Sequence, residues 1–216
     1  MEKNRLGIGF IGGGFISRFH IQSLLGVRDV DVVGVVSKTK QSAEDTAALA
    51  NEMGVGPAKA FDTITEMVEY PGVDALWVCS PNYTRIETFE EIANAVSSSK
   101  GELIGVACEK PLGRNVAEAK KVLVLTQSAD LLDGYLENQV FSPSITRGKE
   151  IIWARGAATT GRPFLARAAE EHSGPHMPWF WEGELQGGGV LNDMMCHSVE
   201  EARFLLTEPG KPRDSI

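Results

Sequence analysis

The chain has 216 residues, 43% hydrophobic and 23% charged, with a formal net charge of −8; these are the proportions of an ordinary globular fold in water. The acidic balance argues against nucleic acid or an anionic membrane surface as the main partner, and no run approaches the ~20 apolar residues of a membrane span. Cys79, Cys108 and Cys196 are widely spaced and no export signal is visible, so no disulfide framework or zinc knuckle is expected and the expected location is cytoplasmic.

In chain order, the first two-thirds alternates short apolar runs with segments of helical spacing, the pattern of βαβ units on a parallel sheet. The runs are Leu6–Ile11, Val30–Val36, Ala75–Cys79, Leu103–Cys108 and Leu131–Leu136. Continuous rather than alternating apolarity predicts strands buried on both faces. Between them Ile86, Phe89, Ala93 and Val96 fall at helical spacing, as do Val116, Ala119 and Leu123 after the expected N-cap Asn115. The expected fold is α/β, with a Rossmann-type parallel sheet over residues 1–137. Beyond that the pattern changes to a helix (Ser144–Ala154), a strand (Pro163–Glu171), an irregular stretch (His172–Gly189) and a final helix (Leu191–Leu206). These are assigned to an incomplete α+β domain, 138–216.

Gly12-Gly13-Gly14, followed by Phe15 and Ile16, lies between the first strand and the helix after it. Glycines let the backbone approach a pyrophosphate closely, and a helix N-terminus turns about half a positive elementary charge toward it. Ser17 takes the third position of the G-x-G-x-x-G/A fingerprint and is still small enough for close helix–strand packing. Such a turn alone is a weak signal; its place in a βαβ unit makes it a dinucleotide site.

The second strand ends in Ser37-Lys38-Thr39-Lys40, with no acid where NAD sites usually hold one about 20 residues on. Ser37 and Lys38 suit a 2′-phosphate, so the expected cofactor is NAD(P), with NADP slightly favoured; the competing reading is lysines that are merely solvated. Ser80-Pro81-Asn82 and Glu109-Lys110-Pro111 follow two further strands, at the carboxyl ends where open α/β sheets bind ligands. Lys110 there presents an ammonium to a substrate hydroxyl or carbonyl, or is a surface lysine in a loop, and Pro111 admits a cis bond before it.

On the last helix, Leu191, Met195, Ser198, Val199, Ala202, Leu205 and Leu206 fall on one mostly apolar stripe, with Asp193 and His197 close together off it. A histidine exchanges protons near neutral pH, and Asp193 is placed to orient it or to stabilise its charged form. The competing reading is a surface Asp/His pair. No third ligand accompanies the two, so no metal site is expected.

Together, GFIGGGFISRFH, DALWVCSPNYTRIETFEEI, CEKPLGRNVAEAKKVL and GGGVLNDMMCHSVEEARFLL resemble the glucose–fructose oxidoreductase/inositol dehydrogenase (Gfo/Idh/MocA) family over nearly the whole chain. The resemblance implies an NAD(P)-dependent dehydrogenase or reductase that moves a hydride between nicotinamide and a sugar, polyol or related alcohol. It implies Lys110 as the lysine of the EKP motif, Asp193 as a substrate-facing acid and His197 as the acid/base. HSGPHMPWFWEGE looks like the substrate-side loop of sugar-acting members: Trp179, Phe180 and Trp181 offer flat apolar faces, and His172 and His176 hydrogen-bond donors. The competing reading is an aromatic cluster between domains or subunits.

Two departures stand out. Arg85 replaces a histidine found in many relatives, which alters a polar contact near the nicotinamide. Relatives also continue into a large open sheet that often forms the oligomer interface, whereas one expected strand here makes no stable layer. The chain is therefore expected to be a fragment or to be completed by another chain, as a homo-oligomer, with the last helix lacking its usual partner. Two further readings stay open: a non-catalytic dinucleotide-binding module, and a glycosidase working by transient oxidation with tightly held NAD.

Overall fold

Six strands form one parallel sheet in the order β3-β2-β1-β4-β5-β6. They are β1 (Leu6–Ile11), β2 (Val30–Val36), β3 (Lys59–Phe61), β4 (Ala75–Val78), β5 (Gly105–Glu109) and β6 (Leu132–Leu136). This is the doubly wound Rossmann order, which reverses direction between β1 and β4. The computed structural model describes residues 5–98 and 100–216, and the chain divides into one unit ending at Leu136 and a second beginning at Glu137.

The crossover helices of the first unit are α1 (Phe15–Ser23), α2 (Lys40–Glu52), α3 (Ile64–Glu69), α4 (Arg85–Ser97) and α5 (Val116–Ser128). On one face of the sheet Ile8, Phe10, Val32 and Val35 pack with Ile21, Leu24, Ala43 and Ala47. On the other, Ile11, Val33, Leu76, Val78 and Val106 pack with Met67, Phe89, Ile92 and Val122. Full burial of such side chains stabilises by about 1.5–3 kcal/mol each. Local chemistry sets the helix starts: Thr39 accepts from Ser42 N–H, Thr63 and Glu66 form a capping box, and Asn115 accepts from Glu118 N–H.

The expected strands appear with small shifts: one ends at Val78, one runs Gly105–Glu109, and one starts at Leu132. The last is not buried on both faces as its composition suggested. It closes the sheet at one edge, and its Leu132 is 71% exposed.

In the second unit the expected helix 144–154 begins one residue early, as α6 (Pro143–Ile151). It continues through a π-type turn (Ile152–Gly156) into α7 (Ala157–Thr160), which Gly161 ends at φ 89°. Trp153 Nε1 donates to the Leu205 carbonyl at 2.9 Å. The expected strand Pro163–Glu171 is absent as a strand: these residues enter no ladder. A strand needs a neighbour for its N–H and C=O groups, and the second unit has none among its described residues. The expected single helix 191–206 is also two pieces, α9 (Val190–Asp193) and α10 (Met195–Leu206), separated at Met194; α8 (Gly183–Gln186) precedes them.

Candidate active site

The glycine turn joins β1 to α1, and each glycine has a different task. Gly12 has φ 110°, and a Cβ on it would lie 2.9 Å from the Cys79 carbonyl. A Cβ on Gly13 would lie 2.6 Å from Ser42 Oγ and carbonyl, so α2 can press against the turn only here without a side chain. Gly14, the N-cap of α1, has open space where its Cβ would be. No side chain caps this helix and its first turn holds no acid, which leaves its leading N–H groups without a side-chain acceptor, as an anion site requires. These residues fit a dinucleotide pyrophosphate. Phe15 is exposed beside the turn, and Ile16 packs half-buried into the core. Ser17 is buried and donates to the Gly12 carbonyl at 2.6 Å.

Ser37 is tied to the glycine turn. Its Oγ accepts from Gly13 N–H at 3.2 Å and donates to Ser42 Oγ at 3.2 Å, so it braces the turn. Thr46 Oγ1 adds a bond to the Gly13 carbonyl at 3.1 Å. Lys38 stands exposed, while Lys40 faces Asp62 at 3.8 Å.

At the end of β4, Ser80 Oγ accepts from Thr84 Oγ1 at 2.9 Å, which also donates to the Pro81 carbonyl at 2.8 Å. Asn82 is buried in the turn that follows. Arg85 is buried too, and its Nη1 donates to the Val78 carbonyl at 2.8 Å. At the end of β5, Glu109 is buried: Oε1 meets His20 Nε2 at 2.7 Å and Oε2 accepts from Lys110 N–H at 3.0 Å. Glu109 therefore ties α1 to the backbone of Lys110, which is half-buried and followed by a cis bond to Pro111. His20 carries no local signal of this pairing, because its partner lies 89 residues away. Burial, and then the charge of Glu109, push the neighbouring Cys79 thiol up to about 12.

In the second unit His197 is 5% exposed and Glu137 4%. His197 Nδ1 lies 2.7 Å from both Oε1 and Oε2 of Glu137. Asp193 was expected to orient His197 or to stabilise its charged form; the two lie on separate short helices divided at Met194, and the carboxylate found against His197 Nδ1 is that of Glu137. Nothing in the sequence around Glu137 marks it, since the pair is 60 residues apart. Cys196 also lies close: Glu137, Cys196 and His197 each bring a potential ligand atom to within 4.8 Å of the others, a grouping that no local spacing in the sequence marks.

A cavity of about 500 Å³ opens in this unit, lined by His172, Trp181, Asp193, Phe180, Gln186 and their neighbours. It unites three of the expected substrate contacts, His172, Trp181 and Asp193. His172 is held in place, accepting from Gly174 N–H at Nδ1 (3.0 Å) with Nε2 3.1 Å from Met194 Sδ. Trp179 stacks on Phe180 at 3.8 Å between ring centroids, so one of its faces is covered. His176 is exposed, and neither it nor Trp179 is among the lining residues. Gln186 is buried and accepts from Gly188 and Gly189 N–H, shaping the glycine run before Asp193.

The sheet order and the uncapped glycine turn define a dinucleotide-binding Rossmann domain. The chain belongs to the Gfo/Idh/MocA family: residues 6–132 match its model for an oxidoreductase family with an NAD-binding Rossmann fold, and residues 156–212 match its C-terminal domain. It is 30% identical to 1,5-anhydro-D-fructose reductase of Ensifer adhaerens, covering 93% of this chain and 56% of that one. It is 27% identical to myo-inositol 2-dehydrogenase of Thermotoga maritima, with 93% and 55% covered. Among solved structures, GenD2 from gentamicin A biosynthesis, in complex with NAD, superposes with a TM-score of 0.79 at 27% identity, covering 95% of this chain and 55% of that one. The chain thus spans about half the length of the relatives it matches. No helix among the described residues is long and apolar enough to cross a membrane.

Proposed function

We propose that the chain acts in an NAD(P)-dependent oxidoreductase that interconverts a hydroxyl and a carbonyl on a sugar, polyol or related alcohol. The observation that carries this is the cradle over Gly14, at the N-terminus of α1, in a chain of this family. The bound nicotinamide supplies the hydride chemistry. Lys110, at the carboxyl end of β5, stabilises negative charge developing on the substrate oxygen. His197 exchanges a proton with that hydroxyl, and Asp193 binds the substrate from the wall of the 500 Å³ cavity together with His172 and Trp181. These roles rest on the match of CEKP and DMMCH to the family's motifs. The exposed Lys38, with no acid at the end of β2, supports NADP over NAD.

The test is a set of titrations with NADH and NADPH, followed by turnover on 1,5-anhydro-D-fructose, myo-inositol and a wider polyol panel. The expected result is tighter binding of NADPH and a change in nicotinamide absorbance with at least one substrate. Lys110→Met lowers kcat by about 10²- to 10⁴-fold and leaves the NADPH Kd within about threefold, the scatter of single-contact effects. Cofactor binding with no turnover across the panel supports a non-catalytic module instead. Sugar release without net cofactor change supports hydrolysis by transient oxidation.

A further inference from the structure

We infer that Glu137 is a positioning residue that holds the proton of His197 on Nδ1 and so leaves Nε2 as the nitrogen that serves the substrate. The inference deepens the reading of His197 as acid/base and rests on it. A carboxylate only accepts hydrogen bonds, so a histidine nitrogen 2.7 Å from both of its oxygens carries the hydrogen. Both side chains are more than nine-tenths buried, and losing one partner of such a pair leaves the other uncompensated. Glu137 is itself fixed, accepting from Gln139 N–H at 3.0 Å at the start of the turn Gln139–Phe141.

Glu201, one turn along α10, interacts electrostatically with His197 and Glu137, and with Glu170 from the extended segment. Cys196 immediately precedes His197, and its Sγ donates to the Asp193 carbonyl at 3.2 Å. The Glu137–Cys196–His197 grouping invites a metal reading, but the distances favour the hydrogen bond. A tetrahedral zinc with ligand bonds of about 2.0–2.2 Å would hold the nitrogen and oxygen about 3.3–3.6 Å apart, against the observed 2.7 Å.

The test is nitrogen NMR of the full chain labelled with ¹⁵N-histidine, with the His197 resonances assigned by comparison with His197→Asn. The expected result is a protonated Nδ1 in the wild type. Glu137→Met removes the acceptor and gives mixed tautomers; Glu137→Gln restores an acceptor oxygen and with it the protonated Nδ1. On a substrate found in the panel, Glu137→Met lowers kcat about ten- to a hundredfold with KM little changed, and Glu137→Gln recovers part of the loss. An unprotonated Nδ1 in the wild type overturns the inference, a result that stands even if Glu137→Met does not fold. So does one equivalent of Zn²⁺ bound by the wild type and lost in both Cys196→Ser and Glu137→Gln. A protonated Nδ1 in a chain whose His197→Asn variant turns over normally leaves the pairing intact and removes the acid/base reading of His197.

Discussion

The two units of this chain are built on different physics. In the first, apolar side chains fill both faces of a six-stranded sheet, and the buried polar groups Ser17, Thr46 and Glu109 brace the glycine turn and the end of β5. In the second, Val140 and Met194 are the buried apolar side chains among the described residues, while Phe164 is 93% exposed and Leu191, Met195 and Val199 stand in solvent. Its buried positions are largely polar: Glu137, Gln186, His197 and Thr207. A core of apolar area gives cooperative stability, whereas a core of paired polar groups gives placement at little net gain. The first unit thus rests on apolar burial, the second on pairing of particular polar side chains.

The cysteines give the largest expected contrast. With its thiol pushed up to about 12 by burial, Cys79 has a thiolate fraction of about one in 10⁴ at about pH 8. Burial raises Cys108 as well, whereas Cys196 in the second unit is half-buried. In the native chain iodoacetamide should label Cys196 and leave Cys79 and Cys108 unlabelled until denaturant is added. Mass spectrometry showing Cys79 labelled as fast as Cys196 would break the comparison.

A smaller contrast is expected in hydrogen exchange. Amides in α10 should exchange at least about tenfold faster than those in β1, β2 and β4, because opening free energy follows buried apolar contact. Equal protection would mean that the polar core of the second unit is as stable as the sheet.

The smallest effect lies at one helix start. Arg114 holds the Glu118 carboxyl below its ordinary value, with the guanidinium at 2.6 Å and the Arg114 N–H at 2.8 Å. A depressed carboxylate contributes stability above its ordinary range, and that stability is lost as pH falls through the lowered value. Glu118→Gln should therefore cost about 1 kcal/mol near neutral pH, with the gap to wild type closing below about pH 4. Urea melts at the two pH values check this, and a gap that persists in acid would assign the loss to packing.

The same division governs what the sequence discloses. Strands of the first unit are legible because continuous runs such as VDVVGVV have one cause, burial on both faces. β3 is not, since Lys59-Ala60-Phe61 is too short for periodicity, and α2 packs through Ala43, Ala47 and Ala50, which give little contrast. The glycine turn and Lys110 are legible because backbone freedom and strand-end position are local properties. His20–Glu109 and Glu137–His197 are not, because each pair joins residues far apart in the chain and no local pattern records a long-range hydrogen bond. The strand expected at Pro163–Glu171 fails for a related reason: composition suggests extension, but pairing needs a neighbour. The apolar stripe on the last helix read through Met194 because periodicity does not register a break of one residue.

The central claim, that the open cradle over Gly14 binds the pyrophosphate of a dinucleotide, is tested most directly by Gly14→Asp. Aspartate suits an N-cap and meets no neighbour at this position, so the helix start should be at least as stable as with glycine. Its carboxylate would occupy the place of the phosphate and repel it. Calorimetric titration should show NADPH binding to the wild type and binding weakened by at least about tenfold in the variant, with an unchanged or higher Tm. Equal affinity in the two proteins would contradict the account.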